Sequence, residues 1–179
     1  MEQTITLGDK SFRLYITEQQ ILAAVSQMAD RINQDYAGKT PLIVPILNGS
    51  FMFASDLVKH LTCRCEISFI KASSYRGTTS TGELTSLIGI NEDVKGRDII
   101  LVEDIIDTGH TLAKIVPATE ALGPASVKVA TLLFKPKALK TDLRIDYVGM
   151  EIPNEFIVGY GLDYDGLGRN LREIYQVIA

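Results

Sequence analysis

The chain has 179 residues, the size of one ordinary domain or a domain with a small appendage. Hydrophobic residues make up 46% and charged residues 22%, which excludes disordered and fibrous classes. Eighteen Lys and Arg against twenty-two Asp and Glu leave a net charge of −4, which argues against a generic nucleic-acid-binding surface.

Residues 1–10 are polar and mixed in charge, unlike a secretory signal, and no stretch approaches the roughly 18 apolar residues that span a bilayer. Thr17-Glu18-Gln19-Gln20 reads as a capping box. Ile21, Leu22, Val25, Met28, Ala29 and Ile32 follow at helical spacing, so a helix is predicted to about Tyr36, ending near Gly38. Leu42–Leu47 is a short buried strand, and Asn48-Gly49-Ser50 turns into a second helix, about Phe51 to Leu61. Cys63 and Cys65 are too close for an unstrained disulfide, which points to reduced thiols and a cytoplasmic protein. His60 beside them is a weak metal signal, and ordinary burial of the thiols is the better reading.

Glu66–Ala72 alternates like a strand. Ser73–Ser86 is rich in Ser, Thr and Gly, too polar to pack, and reads as a mobile loop or flap closed by a strand at Leu87–Ile90. Asp98–Val102 is a buried strand, followed by a helix over about Thr111 to Leu122 that Gly123-Pro124 ends. Val127–Phe134 is another strand. Tyr147–Met150 and Phe156–Gly159 read as short strands, and Leu171–Ile178 as a last strand or short helix. Strand–helix alternation implies an α/β fold, a mostly parallel twisted sheet flanked by helices. The turn-rich tail breaks that rhythm and suggests a small subdomain at one edge, with ligand between the two.

One segment carries the chemistry. The strand Asp98–Val102 delivers Glu103 and Asp104 at its carboxyl end, and the turn Asp107-Thr108-Gly109-His110-Thr111 opens a helix. Backbone N–H groups and hydroxyls at a helix N-terminus cradle a phosphate monoester. Glu103 and Asp104 repel phosphate but accept hydrogen bonds from vicinal hydroxyls, or hold magnesium through water. Phosphate acceptor beside hydroxyl binders describes a phosphorylated sugar. The simpler alternative, Asp107 or Thr108 as a mere helix cap with solvated acids beside it, accounts poorly for three carboxylates within five residues. No Gly-x-x-x-x-Gly-Lys-Ser/Thr occurs, and Gly159-Tyr160-Gly161 lacks the third glycine of a dinucleotide fingerprint.

Val102–Thr111 closely resembles the phosphoribosyl-pyrophosphate signature of the type I phosphoribosyltransferases, and within them the hypoxanthine(-guanine) branch. Ile46–Ser50, Ser74-Tyr75, Leu132–Lys135 and Val148–Tyr164 carry further marks of it. The resemblance implies a core over about 38–145 and a hood from the N-terminal segment and about 146–179. It implies ribose hydroxyls on Glu103 and Asp104, and the 5-phosphate on Asp107, Thr108, Gly109, His110 and Thr111. Asp107 is the implied acid/base near purine N7. Lys135 meets the exocyclic O6, Phe156 stacks on the purine, and Ile157 reads the base edge through its backbone. Asp163 is an implied magnesium ligand next to the base, with Glu103 and Asp104 further candidates. Arg169 and the Asn48-Gly49 loop, often with a cis peptide, contact pyrophosphate. Ser74 and Tyr75 form a flap pair. Many relatives have Lys where this chain has Asn48. The implied partners are phosphoribosyl pyrophosphate and a 6-oxopurine, the cofactor Mg2+, and the assembly a homodimer or homotetramer.

The chemistry agrees. Pyrophosphate leaves as a polyanion, which magnesium and a guanidinium would stabilise. The purine must lose a proton, which needs a base such as Asp107. An ammonium at O6 favours oxo- over aminopurines. The alternatives are a phosphoribosyltransferase for another base, which would not need Lys135 and Phe156, and a nucleotide-sensing regulator on the same fold, which should show a basic face.

Overall fold

The computed structural model describes residues 3–72, 87–88 and 93–178. The elements in chain order are β1 (Thr4–Leu7), β2 (Lys10–Ile16), α1 (Glu18–Asp35), β3 (Leu42–Leu47), α2 (Phe51–His60), β4 (Glu66–Ile67), β5 (Ile70–Ala72), β6 (Leu87–Ile88), β7 (Asp98–Ile106), α3 (Leu112–Glu120), β8 (Ser126–Phe134), β9 (Tyr147–Glu151), β10 (Ile157–Val158) and β11 (Ile174–Val177).

The main sheet runs β6-β5-β3-β7-β8-β9, with β4 also beside β3. Its pairings are parallel except β5 with β6. Strand alternation sorts the apolar runs onto two faces. Ile43, Ile100, Val102, Ala130 and Leu132 pack with Ile21, Val25, Met28 and Ile32 of α1 and with Phe53 and Leu57 of α2. Leu42, Val44, Ile99, Leu101 and Val129 pack with Leu112 and Ile115 of α3. The α/β architecture expected from the alternation is therefore present. The capping box is also as expected: the Thr17 side chain accepts from Gln20 N–H, and Gln20 Oε1 accepts from Thr17 N–H at 3.0 Å.

A second sheet, β1-β2-β11-β10, joins the two ends of the chain. It is wholly antiparallel and has its own small core of Phe12, Val158 and Tyr175. The hairpin β1–β2 was not anticipated, and the tail resolves Leu171–Ile178 into a strand rather than a helix.

Three boundaries differ from expectation. Glu66–Ala72 is not one strand: it breaks after Ile67 and resumes at Ile70, pairing with β3 on both sides of the break. The acid-bearing strand does not stop at Val102, because its pairing with β8 continues to Ile106 opposite Phe134. Tyr147–Glu151, placed by the sequence reading with the tail from residue 146, belongs to the main sheet, where its apolar run pairs parallel with β8. Among the described residues, no helix is long and apolar enough to cross a membrane. Cys63 and Cys65 are unpaired and pack against the main core.

Candidate active site

The carboxyl ends of β3, β7 and β8 meet the second sheet around a cavity of about 260 Å³. Glu103 and Asp104 lie inside the second half of β7. Asp104 is 8% exposed, and its Oδ1 accepts the Ile105 N–H at 2.9 Å. Burial pushes the carboxyls of both acids upward, most for Glu103, which also faces the charge of Asp104. The nearby Arg169 guanidinium opposes that rise at Asp104.

The loop after β3 passes directly over this pair. The Leu47–Asn48 peptide is cis, as the resemblance led us to expect. A Cβ on Gly49 would collide with the Asp104 carboxylate, so only glycine allows this approach. Ser50 is buried, and its hydroxyl donates to the Ile46 carbonyl at 2.6 Å, which tightens the turn into α2. Asn48 is exposed.

Beyond β7 the turn from Asp107 to Thr111 leads into α3. Gly109 has φ +82°, and a Cβ there would collide with Thr141 and Leu139. The turn is pinned from behind, where Lys140 N–H donates to the Thr108 carbonyl at 3.0 Å. Helix α3 starts at Leu112, and the Thr111 side chain makes no capping bond. The N-cap position thus falls to Thr111 and not to Asp107 or Thr108, the two caps weighed above, and His110 and Thr111 are exposed.

Lys135, buried at the end of β8, places its Nζ 3.1 Å from Asp107 Oδ2. Opposite them, Phe156 leaves 45% of its surface exposed. Its ring stands edge-on to Tyr164 at 5.9 Å and lies 6.4 Å from Phe12. Tyr164 OH donates to Asp9 Oδ1 at 2.6 Å, and the Lys10 ammonium lies 4.8 Å from the Tyr164 ring and 5.5 Å from that of Phe156. Arg169 closes the cavity: Nη2 pairs with Asp163 Oδ1 at 2.6 Å, and Nη1 donates to the Gly161 carbonyl at 2.7 Å.

Gly49, Asp104, Asp107, Lys135, Phe156, Ile157, Asp163 and Arg169 all line this one cavity, although they come from distant parts of the sequence. Thr108 to Thr111, Asn48 and Glu103 are not among its lining residues, though they adjoin the lining segments in sequence. Ser74 and Tyr75 lie outside the described residues. Ile105 and Leu162 also line the cavity and were not singled out from sequence. Both are aliphatic residues next to named acids, and nothing in their type marks them. Among the described residues no three His, Cys, Asp or Glu side chains form a ready-made metal cage.

The start of the turn after β7, a buried acid and a lysine–aspartate pair thus meet around one cavity at the carboxyl ends of a parallel sheet. The chain belongs to the phosphoribosyltransferase family: residues 15–165 match the phosphoribosyl transferase domain. Its relatives place it on the hypoxanthine-guanine branch. It is 43% identical over 160 residues to the hypoxanthine-guanine phosphoribosyltransferase of Lactococcus lactis subsp. lactis (strain IL1403), covering 89% of this chain and 87% of that one. Against the enzyme of that name from Streptococcus agalactiae serotype V it is 44% identical, covering 89% of each chain. The crystal structure of a hypoxanthine-guanine phosphoribosyltransferase from Bacillus anthracis superposes with a TM-score of 0.85 at 40% identity, over 92% of this chain and 98% of that one. A hypoxanthine phosphoribosyltransferase from Staphylococcus aureus gives 0.86 at 40% identity, over 92% and 90%.

Proposed function

We propose that this chain is a purine-salvage enzyme. It transfers the 5-phosphoribosyl group from phosphoribosyl pyrophosphate to N9 of hypoxanthine, and of guanine or xanthine where these fit, giving the nucleoside monophosphate and pyrophosphate. The observation that carries the reading is the Lys135–Asp107 pair at 3.1 Å, facing the half-exposed Phe156 across one cavity. A 6-oxopurine stacked on Phe156 exchanges that ion pair for two contacts: O6 accepts from the Lys135 ammonium, and the proton of the imidazole ring passes to Asp107. Adenine presents an amino donor to a donor and is rejected. The Ile157 backbone reads the base edge.

The ribose hydroxyls donate to Glu103 and Asp104, and the 5-phosphate sits on the Asp107–Thr111 turn at the head of α3. The pyrophosphate takes the Asn48-Gly49 backbone and Arg169, whose guanidinium pairs with its charge as the substrate binds. Ser74 and Tyr75 are the flap pair that shields the oxocarbenium-like centre from water.

The donor set suits Mg2+: the carboxylates of Asp163, Glu103 and Asp104 are hard oxygen ligands. Magnesium is held by one or two carboxylates plus substrate phosphates rather than by an all-protein cage. When bound, it supplies charge neutralisation at the pyrophosphate. We further read the chain as one domain, core plus hood, acting in the cytoplasm as a homodimer or homotetramer.

The test offers hypoxanthine, guanine, xanthine and adenine separately, with phosphoribosyl pyrophosphate and magnesium, and follows nucleotide formation. Turnover of at least one 6-oxopurine and none of adenine is expected. Turnover of adenine alone, or of no base, sinks the reading and favours another base or a regulatory role.

A further inference from the structure

Gly159, Tyr160 and Gly161, beside the site, carry φ values of +102°, +50° and +101°. Left-handed backbone is easy for glycine and uncommon for a bulky aromatic residue, and such outliers persist where the surroundings over-determine them. The surroundings here are specific. A Cβ on Gly161 would collide with the Gly49 carbonyl oxygen, and one on Gly159 with that of Glu173. The Tyr160 N–H donates to the Leu171 carbonyl at 2.9 Å, and the Gly161 N–H to that of Arg169 at 3.0 Å. The Tyr160 side chain is buried in the main core, and its hydroxyl donates to Asp56 Oδ2 at 2.6 Å. Asp56 stands on α2 and is paired with Lys59 at 2.6 Å. Burial and the Asp56 carboxylate push the Tyr160 hydroxyl far above its usual range, so it stays a donor.

These contacts form a closed path. Helix α2 follows directly on the Asn48-Gly49 loop, and Asp56 on that helix holds Tyr160. The Gly161 carbonyl next to Tyr160 receives Arg169 at 2.7 Å, and the turn seats against Gly49. We propose that Tyr160, through Asp56, is a positioning residue for the pyrophosphate end of the site. It locks the left-handed turn so that Arg169 and the Gly49 loop keep their spacing. Tyr160 itself does not line the cavity. The inference rests on the reading above that Arg169 and Asn48-Gly49 take pyrophosphate.

Tyr160→Phe keeps the ring and removes one hydrogen bond to a carboxylate. Wild type and variant are compared by steady-state kinetics, with thermal midpoints measured alongside. Loss of such a bond is expected to raise KM for phosphoribosyl pyrophosphate about tenfold, with kcat and KM for hypoxanthine moving about twofold or less. Asp56→Ala should match it, and the double variant should be no worse than either single one. Asp56→Asn keeps an acceptor oxygen and should restore most of the affinity. An unchanged KM for phosphoribosyl pyrophosphate in Tyr160→Phe, with active wild type, overturns the inference. So does a lowered kcat with both KM values raised and the thermal midpoint lowered in parallel, which marks mere packing. If Tyr160→Phe yields no folded protein, Asp56→Ala and Asp56→Asn decide, and equal KM values in both overturn it. Wild type inactive on every base overturns the underlying reading instead.

Discussion

The two halves of the site are held by opposite means. Glu103 and Asp104 ride on β7, a strand paired along its length with β8 and over its first half with β3, and the Asp107–Thr111 turn follows it. The hood half, Phe156 to Arg169, contains a two-residue strand, Ile157–Val158, and is fixed by turns, ring contacts and an ion pair. On the sheet side, charge is placed where water is scarce, and the acid pair is pushed up as a result. On the hood side, charge is already neutralised, Asp163 against Arg169 at 2.6 Å. The sheet half is thus built to receive compensating groups, hydroxyl donors or a cation. The hood half is satisfied when empty and must exchange partners to bind. Lys135–Asp107 combines the two, with positions directly after the ends of β8 and β7 but a partner to give up.

If that division holds, damage to the sheet half should strike turnover, and damage to the hood half should strike substrate affinity, for the base at Phe156 and for phosphoribosyl pyrophosphate at the Tyr160–Arg169 turn. The largest effect is expected from Asp107→Ala. Removing a general base should lower kcat by roughly 10²–10⁴-fold, while KM for hypoxanthine changes little. Because the substitution also strips the buried Lys135 of its partner, Asp107→Asn is measured beside it. A comparable loss in both assigns the effect to the missing base. Near-normal turnover in either variant removes Asp107 from that role.

Phe156→Ala probes the other half. Stacking a base on an aromatic ring is worth about 1–3 kcal/mol, so KM for hypoxanthine should rise roughly tenfold or more. The kcat and the KM for phosphoribosyl pyrophosphate should stay near wild type. A drop in kcat like that of Asp107→Ala would show that the hood ring takes part in the chemical step, and the division into halves would fail.

The same division explains what was legible in the sequence. The sheet half is local: strand, acids, turn and helix start follow one another within 98–120, so spacing alone placed them, and only the end of the strand was misjudged. That misjudgement has a cause, since carboxylates usually end a buried run. Here β7 continues past them because β8 stays in register to Phe134. The hood is non-local. Phe12 is buried because β2 pairs with β11 from the other end of the chain, and residues 1–10 alone read as a polar terminus. A signal was present in retrospect: Gly8, at φ +58°, and Asp9 turn the chain between two alternating runs. The Asp9–Tyr164 bond joins residues 155 apart in sequence, beyond the reach of any local pattern.

The smallest expected effect sharpens the comparison most, because it tests the sheet half without any substrate. Burial and the neighbouring Asp104 charge raise the Glu103 carboxyl well above its ordinary 4.5. Below that value both folded and unfolded chains hold the proton, and the group has no net effect on stability. As pH rises past it, the unfolded chain releases a proton that the folded chain retains, so stability from this group declines until the folded carboxyl titrates. Glu103→Gln has no such proton to lose, and its amide donates to Asp104. In the absence of magnesium and phosphoribosyl pyrophosphate, the variant should therefore melt above wild type near pH 8 and close to it near pH 4. The gap should be about 2–4 °C for each kcal/mol recovered. A gap that does not widen between those pH values would mean that the acid pair is well solvated in the empty site. The contrast with the self-neutralised hood would then be lost.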